Sequence, residues 1–176
     1  MLATNLYRIL GKKTYSDKAI FKNNAPEKEV KETIFSDELM DYSQKQILEL
    51  DKNFNFHEFL EGAKEAFKII VEAYNKNKLE SVKFLVSKDV YDRFNKSIDK
   101  TNKTEKDFNV VSIKASIANI KVTDEQAEIK VEFTSNQVDK VSNKINKLNN
   151  IKDVWTFMKN MTDDTIVWKL VEVGIE

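Results

Sequence analysis

Between residues 56 and 134 the spacing of apolar side chains changes from the period of a helix to the period of a strand, and few architectures accommodate that change in this order. Phe56, Phe59, Leu60, Ala63, Ala66, Phe67, Ile70, Val71 and Tyr74 form one apolar stripe, the pattern of a helix that buries a single face. Asn55 stands at the N-cap position of that helix, predicted over 56–77, and Glu58 three residues on fits a capping box. Further along, Ala127, Ile129, Val131 and Phe133 alternate with Glu128, Lys130, Glu132 and Thr134, which is a strand with one covered face and one wet face.

The segments around these two anchors extend the pattern. A short helix carries Leu79, Val82, Phe84, Leu85 and Val86, and another over 88–99 turns Val90, Tyr91, Phe94 and Ile98 inward. The polar residues from Asp99 to Asp107 read as a loop. Val111, Ile113, Ala115 and Ile117 alternate in one phase, then Ile120 and Val122 in the other. A phase slip within one extended run is the mark of a β-bulge, placed near Ala118-Asn119. Thr123 to Gln126 makes a hairpin turn. Residues 137–150 read as helical through Val138, Val141, Ile145 and Leu148. A second hairpin follows, 151–161 and 166–173, around Thr162 to Thr165. Val154, Trp155, Phe157 and Met158, then Val167, Trp168, Leu170 and Val171, make both its strands apolar on both faces, so both are expected in the covered centre of the sheet. Upstream, Val30, Ile34, Leu39, Met40, Ile47, Leu48 and Leu50 suggest one or two helices over 27–50. Helices followed by consecutive strands give an α+β fold, with N-terminal helices packed on a curved antiparallel sheet of about four strands. A curved sheet closed by a long helix leaves an apolar hollow between them.

Composition narrows the function classes. The 176-residue chain has no Cys, which excludes disulfides, thiolate metal sites and a cysteine nucleophile. Its 29 basic residues balance 29 acidic ones, so no basic field calls for nucleic acid. Only Arg8 and Arg93 are arginine, and the abundance of Lys, Asn and Ile is read as an AT-rich genome. The same abundance of Asn leaves the Asn-x-Ser/Thr matches at Asn95, Asn102 and Asn160 as chance occurrences rather than glycosylation sites. No run of about 18 apolar residues is present.

Charge is nevertheless uneven. Residues 1–24 carry a net charge of +4 and residues 27–61 a net charge of −6, with Pro26 between them. In the first segment Leu2, Leu6, Ile9 and Leu10 fall on one helical face, Gly11 can end that helix, and Arg8, Lys12 and Lys13 flank it. A helix this short needs a partner, which is another helix, another protomer or a membrane surface, and a basic amphipathic one suits an anionic membrane surface. The alternative is a frayed end of a longer segment. The chain therefore divides into a basic juxtamembrane segment at 1–24, a helical extension at 25–52 and an α+β domain at 53–176. An anchor preceding this segment is expected, and the positive-inside rule would then hold the basic side in the cytoplasm.

Candidate sites are few. His57 is the only histidine, and with Glu61 it offers too few ligands for a structural zinc site. Gly11-Lys12-Lys13-Thr14 lacks the earlier glycine of a phosphate loop. Phe59, Ala63, Phe67, Phe133, Trp155, Phe157 and Trp168 either line an apolar pocket or fill the core, and some do both. An isomerase or hydratase on this scaffold needs a carboxylate or histidine aimed inward, whereas Glu128 and Glu132 point away from the face of Ile129 and Phe133. No metal or cofactor is expected, and no catalytic residue.

Two stretches carry a family resemblance. Residues 53–98, with Phe59-Leu60, Ala63 and Phe67 in the long helix and Val90-Tyr91-Asp92-Arg93-Phe94 beyond it, are similar to the Tim44-like domain family. So is the closing Asp153-Val154-Trp155-Thr156-Phe157 followed by Trp168-Lys169-Leu170-Val171. The similarity covers roughly residues 51–173. Leu6-Tyr7-Arg8-Ile9-Leu10-Gly11-Lys12-Lys13-Thr14 resembles the segment after the membrane helix of bacterial members. Departures fall in or beside turns: Asn77-Lys78 where the family often has Gly-Asp, Ile166-Val167 where it often has Pro-Asn, and Lys159 where it often has Arg. The resemblance implies a nuclear-transport-factor-two-like (cystatin-like) fold with a large apolar pocket. In mitochondria the member of the family it resembles is a peripheral inner-membrane scaffold that binds anionic lipid and tethers a DnaK-type chaperone to the protein-import channel, and a mitoribosomal large-subunit protein shares the domain.

The leading expectation is a non-enzymatic scaffold or adaptor at the cytoplasmic face of a bacterial inner membrane. Its contacts would be anionic lipid, through Leu2, Leu6, Arg8, Ile9, Leu10, Lys12 and Lys13, and a protein partner such as a DnaK-type chaperone or a membrane protein. The alternatives are an apolar-ligand or lipid-binding pocket protein and an enzyme of the same fold class. A filled core with an exposed groove favours the scaffold; a pocket lined only by apolar atoms favours the ligand binder over the enzyme.

Overall fold

The structure is a computed structural model and describes residues 40–101, 107–141, 144–162 and 167–174. Helix α1 spans 40–50, the described part of the helical stretch expected over 27–50, and buries Ile47 completely. Helix α2, Phe56–Asn75, carries the long apolar stripe. Asn55 caps it: its Oδ1 accepts from the backbone N–H groups of His57 and Glu58 at 2.9 and 3.2 Å, satisfying two donors that the first helical turn leaves free.

The other end of α2 accounts for one departure from the family pattern. The Lys78 N–H reaches the Ala73 carbonyl at 2.8 Å and the Asn77 N–H the Tyr74 carbonyl at 3.3 Å, the pairing of a Schellman motif. That motif needs a left-handed residue, and Asn77 supplies it with φ of 56°. Asn is the side chain that best replaces glycine there. Asn77→Gly is therefore expected to change unfolding free energy by less than about 1 kcal/mol, and Asn77→Val to lower it by about 1–2 kcal/mol, as read from urea denaturation.

A short 3-10 helix, Leu79–Leu85, follows. Helix α3, Lys88–Thr101, begins at Ser87, whose Oγ accepts from the Val90 N–H at 3.3 Å. Val90, Phe94 and Ile98 are buried as expected, while Phe84 of the 3-10 helix is exposed. The helix takes in residues 99–101, the start of the expected loop.

Strands β1 (Asp107–Val122), β2 (Gln126–Val141), β3 (Lys144–Asn160) and β4 (Lys169–Gly174) form one antiparallel sheet in the order β1-β2-β3-β4. The β1–β2 turn falls at Thr123 to Gln126, closed by the Thr123 N–H on the Gln126 carbonyl at 2.8 Å. The register shifts between Ile117 and Asn119, where the phase slip predicted a bulge, and again between Val110 and Ser112. The shift at Val110/Ser112, the first along the strand, turns Val110 inward and leaves Val111 65% exposed, so the apolar phase of β1 starts one residue earlier than its sequence suggests.

Two expectations need correction. The described residues of 137–150 are strand rather than helix: β2 runs on to Val141 and β3 starts at Lys144. The inner face of that stretch holds the polar Gln137 and Asp139, which erased the strand alternation and left a helix-like spacing of Val138, Val141, Ile145 and Leu148. The second correction is that β4 lies at the sheet edge rather than its centre. Its apolar character comes from the connection to α3, because Val86 bridges Leu170 in parallel and the Ser87 N–H donates to the Leu170 carbonyl at 2.8 Å.

Asn136 links the irregularities that bend the sheet. Its Nδ2 donates to Ser112 Oγ at 3.0 Å, beside the first bulge of β1. Its Oδ1 accepts from the Asn150 N–H at 2.9 Å, where β3 takes a left-handed residue of φ 54°. Bulges concentrate twist and curvature, and the helices pack on the inner face so formed. The outer face of β2 carries Glu128, Lys130, Glu132 and Thr134, opposite the buried Ala127, Ile129, Val131 and Phe133.

Candidate functional site

The seven aromatic and small residues expected around a pocket divide into two groups. Phe67, Phe133 and Trp155 fill the space between α2 and the sheet. The Phe67 ring centroid lies 4.6 Å from those of both Phe133 and Trp155, stacked on the first at 25°. All three are at most 1% exposed, so this part of the hollow is packed solid.

Phe59, Ala63, Phe157 and Trp168 instead wall a groove of about 470 Å³ between the start of α2 and the β3–β4 hairpin. Phe59 meets Trp168 edge-on at 4.9 Å and Phe157 at 6.2 Å. Phe54, Leu85 and Val167 extend the apolar wall, and Gly62 and Ala66 leave room on the α2 side. Asp51, Glu58 and Lys159 are the charged residues of the lining. The volume lies within the roughly 300–1,000 Å³ of ordinary binding pockets.

Phe54 is the groove residue that sequence reasoning missed. It precedes the Asn55 cap, and its ring lies 5.9 Å from that of Phe59, at the fourth helical position. An apolar residue before the cap packing on that position is a hydrophobic staple, so the signal was in the capping pattern already recognised. Phe54 also contacts Trp168 at 5.8 Å, joining the corner between α1 and α2 to the end of the sheet.

Glu128 and Glu132 face outward, but two carboxylates, Asp139 on β2 and Asp153 on β3, are buried on the inner face. Asp153 pairs in register with Phe133 and shares the inner face of β3 with Trp155 and Phe157. It is 5% exposed, and burial pushes its carboxyl up from 3.8 to about 6, because a desolvated carboxylate disfavours its charge. Nearby on β2, Gln137 Nε2 donates to Ser135 Oγ at 2.8 Å, both residues buried. The Trp155 Nε1 is also buried, with no hydrogen-bond partner among the described residues. The inner face is thus apolar toward Phe157 and polar toward Gln137. On the opposite face of β3, the Thr156 hydroxyl donates to Glu172 at 3.3 Å.

The remaining expected positions carry no assembled chemistry. His57 is exposed in the first turn of α2. Among the described residues no group of three or more His, Asp and Glu side chains is placed to hold a metal, and no helix is long and apolar enough to cross a membrane. Leu2, Leu6, Arg8, Ile9, Leu10, Lys12 and Lys13, the expected lipid contacts, lie outside the described residues, as does the Gly11-Lys12-Lys13-Thr14 stretch.

The family model of the Tim44-like domain matches residues 41–175, from within α1 to the end of the sheet. No curated protein matches the chain.

Proposed function

The chain belongs to the Tim44-like domain family, and from that membership we propose that it acts as a membrane-associated, non-enzymatic scaffold that presents the groove beside Trp168 to a protein partner. Membership supports a membrane-associated scaffold role in general, in a family that is generally non-enzymatic. The observation that carries the finer reading is the division of the aromatic residues. Phe67, Phe133 and Trp155 leave no ligand-sized space among themselves, while Phe59, Phe157 and Trp168 open sideways onto a surface groove. An open groove with an aromatic floor and charged residues in its lining suits a side-chain cluster of another protein.

In this reading the basic segment 1–24 holds the chain at anionic lipid on the cytoplasmic face of a bacterial inner membrane, and the acidic extension keeps the domain off the surface. The partner would be a DnaK-type chaperone or a membrane protein. A photo-crosslinking amino acid at Val167, in the groove wall, is expected to capture a discrete protein in cell membranes, whereas one at Lys130 on the outer sheet face is not. Identical capture patterns at the two positions would overturn the assignment of the groove.

Asp153 favours a second reading, an enzyme of the same fold class, because an inward carboxyl titrating near 6 is what general acid–base chemistry needs. Turnover of a small-molecule substrate that disappears in Asp153→Asn would establish it and displace the scaffold reading.

A further inference from the structure

We infer that the groove beside Trp168 is the docking site of the chain's own basic segment, residues 1–24, and that anionic lipid and the groove compete for it. The inference rests on the reading of 1–24 as a membrane element and adds a second, internal partner for the same residues.

Three observations carry it. The first is charge. The groove lies at the end of the stretch 40–61, which holds Asp41, Glu49, Asp51, Glu58 and Glu61 against Lys45 and Lys52, a net charge of −3. Asp51 and Glu58 stand in the groove lining itself, against Lys159. The segment 1–24 carries a net charge of +4, and opposite fields of this kind guide association and set orientation.

The second is shape. The groove offers the aromatic rings of Phe54, Phe59, Phe157 and Trp168, with open space over Gly62, where an added Cβ would meet nothing within 4 Å. Leu2, Leu6, Ile9 and Leu10 form the apolar row that a helix laid in such a groove presents.

The third is reach. The described part of helix α1, 40–50, ends beside Asp51, so residue 40 lies at most about 16 Å along the helix from the groove at 1.5 Å per residue. Residues 25–39 connect that point to the segment, and a chain of that length spans up to roughly 50 Å. The groove is within easy reach, and the tether gives the segment an effective concentration in the millimolar range. Lipid offers the same segment a surface that binds its charge and its apolar row together, so one set of residues cannot satisfy both at once.

The cysteine-free chain allows a direct test on residues 1–176. Leu6→Cys combined with Gly62→Cys is expected to close an intramolecular disulfide under mild oxidation at least about tenfold faster than Leu6→Cys combined with Lys130→Cys on the outer face, given the tethered effective concentration. Ile9→Cys with Gly62→Cys provides a second pair should the first perturb the segment. Lys12→Glu with Lys13→Glu is expected to slow closure, and vesicles of phosphatidylglycerol and phosphatidylcholine to suppress it. Equal rates for the groove and outer-face pairs would overturn docking. A disulfide formed only between two chains would overturn it in favour of a second copy as the occupant. Flotation of the same samples separates this inference from the reading it rests on. Fast closure in a protein that does not float removes the membrane element and leaves docking standing. Flotation with equal closure rates removes docking and leaves the membrane element standing. Flotation with undiminished closure overturns the competition.

Discussion

Replacing Phe67 by alanine is expected to lower the unfolding free energy by about 3–5 kcal/mol, near the upper end for a single core truncation. Phe67 is fully buried at the middle of α2, and its ring touches the two elements that hold the sheet together, through Phe133 on β2 and Trp155 on β3. Removing it opens a cavity walled by two large aromatic rings, which cannot collapse inward without breaking their own contacts. The lost burial and the residual void then add rather than offset each other. Denaturant titration should show a lower midpoint with an unchanged slope. Phe84→Ala, on an exposed ring, serves as the control and should move stability by less than about 1 kcal/mol. A shift that small at Phe67 would mean that the α2 stripe does not cover the sheet.

The second large effect runs in the opposite direction. Asp153 titrates near 6 in the fold against an ordinary 3.8, so the folded state holds a proton that the unfolded chain has already released. Stability from this group is fully present below about pH 4 and is lost as pH rises toward and through 6. At 1.36 kcal/mol per unit, the loss reaches about 3 kcal/mol above that range. Asp153→Asn cannot ionise and is expected to be more stable than the natural chain by up to about 3 kcal/mol at pH 8, with the advantage vanishing near pH 4. Urea titrations of the two proteins across pH 4 to 8 measure this directly. A difference independent of pH would show that the carboxyl is not buried as described.

These two residues also mark what the sequence made legible. Phe67 sits in a stripe whose period, cap and length all agree, and such agreement across levels is what specifies an element. The alternation from Ala127 to Phe133 and the phase slip at Ala118 were equally plain, because inner positions were apolar and outer ones polar. Asp153 opens the run Asp153-Val154-Trp155-Thr156-Phe157, and Trp155 and Phe157 share its parity, so its inward direction is present in the spacing but masked by its charge. A charged side chain on an inner face contradicts the hydrophobic code on which strand reading depends. Gln137 and Asp139 hid the end of β2 in the same way. Val110 and Val111 concealed the first bulge because both are apolar and either phase fits. β4 reads as a central strand because its edge is covered by Val86 pairing with Leu170, a contact far apart in sequence that no local pattern encodes. Within the groove, Phe59, Phe157 and Trp168 were legible as aromatic payload, but their separation from Phe67, Phe133 and Trp155 follows from where α2 crosses the sheet.

Flotation of the intact chain with vesicles tests the account most directly, because membrane association is the property on which the scaffold reading stands. The account predicts that the protein floats with phosphatidylglycerol-containing vesicles at low salt and is released at high salt, since surface attraction of about 1 kcal/mol per basic residue is screened by ions. It also predicts little flotation with neutral vesicles, and loss of binding when Arg8, Lys12 and Lys13 are changed to glutamate. Equal flotation with neutral and anionic vesicles, or none with either at low salt, would contradict it.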